Sequence, residues 1–296
     1  MKYRVAIVAG IALALSTAMV GCVATTTPLP TPTSTNSNKV DAAARNLVPY
    51  NIRLSGVLSV AVDDTYAPNE FKDATGQSIG WEVELLQAVA MRLGLSAKFE
   101  STSFDRIMPA VQVGDVNVGL SSFFDTPERR KTLDWVDYYT AGTLWAQRTG
   151  STQVSPENAC GLTVTVVQNT YQHLVDLPTR SRKCASQHRS PIKVVTYVKQ
   201  DDATEAVILG RADAMLADSP VTLYAIRNSS GSLVAAGETY DVLKYGLAVQ
   251  KDSTLSEALR LAVQDLIDDG EYRSILAAWG VEAGAIGKST INGASN

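Results

Sequence analysis

Histidine is nearly absent from this chain. Of 296 residues two are histidine, His173 and His188. Their spacing is not that of HExxH or a similar pair, so there is no zinc-enzyme signature and no metal site is expected. A basic excess is missing too: 26 lysines and arginines stand against 30 aspartates and glutamates, a net charge of −4. That balance excludes the electrostatic footprint of a nucleic-acid binder. No apolar run is long enough for a comfortable membrane span; Val5 to Val20, behind Lys2 and Arg4, has the length of a secretory h-region. A phosphate loop is lacking, because Gly284-Ala-Ile-Gly-Lys-Ser-Thr has Glu282 where that loop needs its first glycine. Cysteine is scarce, with Cys22, Cys160 and Cys184 the full set. What remains is ordinary globular composition, 45% hydrophobic and 19% charged, enough for one large domain or two lobes.

The apolar run closes on Met19-Val20-Gly21-Cys22. This resembles the lipobox of bacterial lipoproteins, which implies removal of residues 1–21 as a signal peptide and lipidation of Cys22. The other reading is an ordinary signal peptide with an incidental cysteine. Two acyl chains would anchor such a protein stably. Thr25 to Asn38 reads TTTPLPTPTSTNSN, with no apolar period, so residues 22–49 are expected to be an extended tether and folding to begin near Tyr50. In an exported chain the remaining Cys160 and Cys184 are expected to form a disulfide, with two free buried thiols as the alternative.

The chain repeats itself. GVLSVAVDDTY from Gly56 parallels GLTVTVVQNTY from Gly161, and AVQVGDVNVGLSS from Ala110 parallels AVILGRADAMLADS from Ala206. Both members of the first pair are an alternating strand followed by polar residues and Thr-Tyr. Both members of the second pair are a helix end, a glycine and a short buried strand, which sets Asn117 opposite Asp213 and Ser122 opposite Asp218. Between them, Glu84 to Leu93 puts Leu85, Leu86, Val89, Ala90 and Leu93 on one helical face, stopped by Gly94. Strands alternating with helices predict two α/β lobes, each with its own mainly parallel sheet. Ligands bind beyond the carboxyl ends of such strands, here at Asp63–Tyr66, Ser121–Arg129, Val167–Tyr171 and Asp218–Ser219. A ligand between lobes would close them by a hinge. Towards the end, Thr254 and Glu257 read as a capping box over the stripe Leu255, Leu259, Ala262, Val263 and Leu266, followed by a second short helix, Glu271–Trp279.

The stretch SSFFDTPERR, Ser121 to Arg130, allows two readings. In one, Thr126 caps a helix with Pro127 at its first position and Arg130 paired to Asp134. In the other, the hydroxyls, aromatic faces, free N–H groups and guanidinium form a site for a small anion or zwitterion.

Together, LSVAVDDTYAPNEFKDATGQSIGWEVELLQAVAMRLGL, TPERR, QNTY, GRADAMLAD and DDGEYRSILAAWG resemble, in order, the polar-amino-acid family of ABC-importer receptors, the bacterial extracellular solute-binding proteins of family 3. The resemblance covers about Leu54 to Gly280. It implies a periplasmic-binding-protein type II fold, a flytrap of two Rossmann-like lobes: lobe 1 from 50–142 and 244–281, lobe 2 from 143–243, and a tail from 282–296. Hinge strands are expected near Thr143–Gln147 and Tyr240–Gly246. By position, Arg129 matches the arginine that clamps the ligand's α-carboxylate, with a planar fork that lysine lacks. Ser121 and Ser122 match carboxylate or ammonium contacts, Thr170 and Tyr171 second-lobe carboxylate contacts, and Asp218 the partner of the α-ammonium. Tyr66 and Phe104 match the side chains that sandwich the ligand, and Asp63 a contact to its side chain that favours a cationic or amide group. Arg129 and Asp218 are expected to be linked by ligand alone.

Several residues depart from the family pattern: Asn69 replaces an aromatic, Phe124 a small hydroxyl residue within the pocket, Asn169 a glycine and Asn117 a structural aspartate. Phe124 is expected to compensate for Asn69 by moving aromatic packing across the pocket. His173 reads as a solvent-facing or capping residue, and Trp81 and Trp135 as core. The resemblance implies capture of an amino acid with a polar, basic or amide side chain, without catalysis or cofactor. Delivery would be to an ABC permease and its ATPase, from a lipid-anchored monomer outside the cell membrane. The alternatives on the same fold are a cyclohexadienyl-dehydratase-like enzyme, with Asp63, Glu70 and Asp218 as candidate acids, and a sensory binding lipoprotein.

Overall fold

The computed structural model describes residues 40–293; Cys22, the apolar leader and the Thr/Pro-rich stretch through residue 39 lie outside that range. The first helix starts earlier than expected. Helix α1 (Ala42–Leu47) begins where Asp41 Oδ1 accepts from the Ala43 and Ala44 N–H groups at 2.8 and 3.2 Å. Ala44 and Val48 are buried in the main core. Arg45 Nη1 donates to the Leu93 and Gly94 carbonyls at 2.7 and 2.8 Å. Residues read as tether therefore form a helix, because their alanines have a groove to fill and their arginine satisfies carbonyls left open at the end of another helix.

After α2 (Tyr50–Ser55) come β1 (Val57–Val62), the short strands β2 (Thr65–Tyr66), β3 (Glu70–Lys72) and β4 (Ser78–Ile79), α3 (Trp81–Arg92), β5 (Ser96–Ser101), α4 (Phe104–Val113) and β6 (Val118–Leu120). A long strand β7 (Leu133–Arg148) leads to β8 (Thr163–Val167), α5 (Leu177–Ser186), β9 (Lys193–Tyr197), α6 (Gln200–Ile208), β10 (Ala214–Asp218) and α7 (Ser219–Asn228). A second long strand, β11 (Leu233–Gln250), precedes α8 (Thr254–Asp269) and α9 (Glu271–Trp279).

The internal repeat is structural. β5-β1-β6 form a parallel trio in one lobe, β10-β8-β9 a parallel trio in the other. In the first, Asn117 Oδ1 accepts from the Ser59 N–H at 2.9 Å; in the second, Asp213 Oδ2 accepts from the Thr163 N–H at 2.8 Å. Asn117 thus does the structural work expected of an aspartate. The glycines before both strands, Gly114 and Gly210, take left-handed φ values of 82° and 70°, which lets each helix end and reverse within one residue.

The two lobes do not have separate sheets. β7 and β11 pair with each other along most of their length, β6 joins β11, and β10 joins β7, giving one eight-stranded ladder in the order β5-β1-β6-β11-β7-β10-β8-β9. Strands of 16 and 18 residues are long enough to serve both lobes. The register slips between Ala236 and Tyr240 and between Tyr240 and Leu243, irregularities that bend a strand. They coincide with the expected hinge stretches. The large core packs α1, α3, α8 and α9 on one face of the first lobe's sheet, with α4 on the other; two smaller clusters fill the second lobe.

Local signals shift by small amounts. α3 begins at Trp81, not Glu84, because Gly80 lets the chain press against the preceding loop: Trp81 N–H donates to Pro68 O at 3.2 Å and Glu82 N–H to Asn69 O at 3.1 Å. The cap of α8 is Ser253, which accepts from the Leu255 N–H, while Glu257 turns to Arg260. Cys160 and Cys184 form a disulfide across 24 residues. The segment after α9 is fastened down: Tyr139 donates to Val281 O at 2.7 Å, Ser289 Oγ to Asp137 O at 2.6 Å, and Asn292 Nδ2 to Asp134 at 2.9 Å. Among the described residues no helix is long and apolar enough to cross a membrane.

Candidate functional site

Four of the parallel strands end at one cleft. Beyond β1 lie Asp63, Thr65 and Tyr66; beyond β6, Ser121, Ser122 and Phe124; beyond β8, Thr170, Tyr171 and Gln172; and at the end of β10, Asp218. With Phe104, Arg129 and Val167 they line one narrow pocket of about 30 Å³. All ten residues expected there, Asp63, Tyr66, Phe104, Ser121, Ser122, Phe124, Arg129, Thr170, Tyr171 and Asp218, line this space. Thr65 and Val167 fall within the expected strand-end stretches without an assigned role, and Gln172 lies one residue beyond them, directly after QNTY.

The loop Ser121–Arg130 is less helical than either reading allowed. Thr126 does cap, accepting from the Arg129 N–H at 3.4 Å. Only one 3₁₀ turn, Arg129–Lys131, fits before β7 starts. Arg130 pairs with Asp125 at 2.6 Å, not with Asp134, which Lys251 holds at 2.9 Å. Arg129 points inward. Its Nη1 donates to Phe124 O at 2.9 Å, and its Cζ lies 5.2 Å from the Phe123 ring and 6.0 Å from that of Trp135. No carboxylate pairs with it among the described residues, and burial pulls its pKa down to about 10.

Facing it from the other lobe, Asp218 is fully enclosed. Its Oδ1 accepts from Gln172 Nε2 and its Oδ2 from Tyr245 Oη, both at 2.6 Å. Burial, opposed by those donors, pushes its carboxyl up to about 7. The Asp218 N–H donates to Tyr66 Oη at 3.2 Å, and the Phe124 ring meets Tyr171 edge-on at 5.7 Å. These contacts join the lobes directly, while no hydrogen bond or ion pair among the described residues links Arg129 to Asp218 themselves. Asp63 accepts from Thr65 Oγ1 at 2.7 Å and from the Phe104 N–H at 2.9 Å; burial still raises its pKa. Phe104 stacks on Phe123 at 4.6 Å.

The departures have local causes. Asn169 sits at φ 65°, a left-handed backbone that asparagine tolerates nearly as glycine does. Its N–H donates to His173 Nδ1 at 3.0 Å, the capping role expected of that histidine. Asn69 needs no compensation from Phe124. It is buried, donating from Nδ2 to Ser122 Oγ at 2.7 Å and accepting from Trp81 Nε1 at 2.7 Å. Trp81 and Trp135 are core residues. Among the described residues no cluster of histidine, cysteine, aspartate and glutamate could hold a metal ion.

Behind Ser121 and Ser122 lies a pair that sequence reasoning did not assemble, Glu70 and Glu82, both without solvent exposure. Glu70 had been considered only as a candidate acid. Twelve residues separate the two along the chain, and nothing local brings them together.

Comparison with known proteins follows this geometry. The profile of bacterial extracellular solute-binding proteins, family 3, matches residues 58–282. The arginine-binding protein ArgT of Corynebacterium glutamicum is 40% identical over 247 residues, 83% of this chain and 81% of that protein. The structure of an ancestral arginine-binding protein bound to arginine superimposes with a TM-score of 0.68 at 30% identity, covering 76% of this chain and 98% of that one. An ancestral amino-acid-binding protein described as a precursor of cyclohexadienyl dehydratase gives 0.67 at 29% identity, covering 77% and 97%. A repeated α/β fold, a cleft at its strand ends and a profile match across most of its length make this chain a member of the bacterial extracellular solute-binding proteins, family 3.

Proposed function

We propose that the chain captures an amino acid with a cationic side chain, such as arginine, between its lobes and delivers it to an ABC importer. The observation that carries this reading is the charge arrangement of the cleft. One buried guanidinium, Arg129, lacks a carboxylate partner, and Asp218 opposes it from the other lobe, while Asp63 adds a second carboxylate. A zwitterion fills the first two roles, its carboxylate on Arg129 and its ammonium on Asp218, each desolvated on closure. The surplus carboxylate favours a positive side chain over a neutral or acidic one. Tyr66 and Phe104 would flank that side chain, and Thr170 and Tyr171 would meet the carboxylate from lobe 2. The name of the Corynebacterium relative is consistent with this choice.

Each carboxyl group that catalysis could use is already engaged. Asp63 holds the start of α4, Asp218 takes two donors, and Glu70 accepts from Ser121. Those bonds favour binding over chemistry. The finer assignments belong to the same proposal: lobe 1 as 50–142 with 244–281, lobe 2 as 143–243, and Cys22 as the lipid anchor that holds the receptor outside the cell membrane beside its permease.

The test is isothermal titration of the soluble domain, from Val40 onward, against arginine, lysine, histidine, glutamine and glutamate. Arginine or lysine binding at least tenfold tighter than glutamine, and glutamate not binding, is the expected result. Preference for glutamate, or no binding by any of them, would overturn it.

A further inference from the structure

The Glu70–Glu82 pair has an unusual setting. Glu70 lies on β3 and Glu82 in the first turn of α3, and the two side chains share a hydrogen bond. Among the described residues no lysine or arginine pairs with either. The titratable groups that face them are acids and phenols: Asp63 beyond β1, Tyr66 on β2, Tyr138 and Tyr139 on β7, Asp218 on β10 and Tyr245 on β11. Two buried carboxylates with no cation cannot both stay ionised. One proton must lie between them. Glu82 accepts from Ser122 Oγ, the Ser122 N–H and Tyr138 Oη, which favours its ionised form, so Glu70, pushed well above the usual carboxylate range by burial and then by the Glu82 charge, is the member that keeps it.

The pair consumes the donors of the cleft floor. Ser121 Oγ donates to Glu70 Oε1 at 2.9 Å, Ser122 Oγ to Glu82 Oε1 at 2.9 Å, and the Ser122 N–H to Glu82 Oε2 at 3.1 Å. Tyr138 Oη donates to Glu82 Oε1 at 2.6 Å, and Asn69 Nδ2 reaches Ser122 Oγ from the side. Ser122 is held at φ 51°, a strained position for serine, which this network fixes in place.

We propose that Glu70 and Glu82 are positioning residues that turn the serine floor of the cleft into an acceptor-only surface. With both hydroxyl protons and the Ser122 N–H directed backward, Ser121 and Ser122 show the cleft oxygen lone pairs alone. Such a floor receives N–H groups and repels a carboxylate. It therefore fixes which way round an amino acid lies: ammonium on the serines and Asp218, carboxylate at Arg129. Glu82 holds Ser122 through its Oγ and N–H, while Glu70, without a second charge, holds Ser121 Oγ and lies 3.3 Å from Ser122 Oγ. This inference rests on the amino-acid reading above.

The two glutamates should respond differently to amidation. Glu70→Gln swaps a neutral acid for a neutral amide, whose N–H can replace the shared proton and whose oxygen can still accept from Ser121. Glu82→Gln sets an NH₂ against the donors of Ser122 and forces its hydroxyl to turn. Titrations with arginine and with its desamino analogue, 5-guanidinopentanoate, provide the readout. Glu82→Gln should weaken arginine at least tenfold and the analogue less than threefold; Glu70→Gln should change both less than threefold. In a Ser122→Ala background, Glu82→Gln should add nothing further. Equal losses for both ligands, or an arginine affinity unchanged in Glu82→Gln, would overturn the proposal.

A second measurement needs no ligand and covers a Glu82→Gln that fails to fold. Between about pH 4.5 and the raised pKa of Glu70, the folded chain holds a proton that the unfolded chain releases. Its unfolding constant should then rise with pH by up to tenfold per unit more in wild type than in Glu70→Gln. Identical slopes would overturn the shared-proton pair. If the slopes differ as expected but wild type binds no amino acid, the pair stands and the proposed function is what fails.

Discussion

Arg129→Met gives a two-sided prediction. The guanidinium is held at about 10 from an ordinary 12.5 by burial, so keeping it charged in the ligand-free cleft costs about 3 kcal/mol. Methionine removes that charge with little loss of volume. Against the gain stand the hydrogen bond to Phe124 O, about 1 kcal/mol, and the contacts with the Phe123 and Trp135 rings, about 1 kcal/mol. The ligand-free variant should therefore be more stable by about 1 kcal/mol, a rise of roughly 2–4 °C in midpoint for a domain of this size. Binding should go the other way. Losing the partner of a buried carboxylate costs about 3–5 kcal/mol, so arginine should bind on the order of 10²–10⁴-fold more weakly. Thermal scans with and without 1 mM arginine, beside titration calorimetry, read both effects. A ligand-free midpoint several degrees below wild type would show that Arg129 is a structural cation. An unchanged arginine affinity would show that the carboxylate lies elsewhere. Either result refutes the reasoning.

Other perturbations follow from the same geometry. Asp218 is raised to about 7 by burial, so its carboxylate must lose a proton to meet an ammonium at lower pH. Arginine affinity should fall by up to tenfold per unit as pH drops below about 7, and an affinity independent of pH from 5 to 8 would contradict the pairing. In the ligand-free protein the sign reverses: a raised pKa gives stability that is present below about pH 4 and lost as pH rises to about 7. Asp218→Asn should flatten that slope in urea titrations. Removing the disulfide with Cys160→Ser and Cys184→Ser, which opens a 24-residue loop, should lower unfolding stability by about 3 kcal/mol; denaturant curves with and without reductant should agree. Gly80→Ala would set a Cβ 2.1 Å from Asn69 O at φ 132°. It should destabilise by about 2–3 kcal/mol, and a wild-type midpoint would show that the turn can relax.

The cleft was legible because its residues sit at repeated places. Strand, polar residues and Thr-Tyr occur twice, and strand ends are where an α/β fold gathers its polar groups. Arg129 and Asp218 follow from matched positions, and both are enclosed in the cleft. Other features depend on distant packing that no window of sequence contains. Glu70 and Glu82 meet only because β3 and the first turn of α3 both back onto Ser121 and Ser122, some 40 to 52 residues along the chain. Tyr245 reaches Asp218 from β11, 27 residues away. Helix α1 looked like a continuation of the polar stretch before it, since its cap, Asp41, and two inward residues, Ala44 and Val48, form no amphipathic stripe. The single ladder was missed for a related reason: alternation marks a strand but says nothing of how far its partner continues beside it.

Both described ends of the chain are moored to the same half of the molecule. At one end Asp41 caps α1, whose Ala44 lies in the main core and whose Arg45 grips the carbonyls after α3. At the other, Ile291 bridges Val136 and Asn292 reaches Asp134, within the first residues of β7. The second half is an excursion of the chain, and neither described end lies in it. A load applied at either described end would therefore be taken up by the first half, and bending at the crossings would move the second half while both of those ends stay in place.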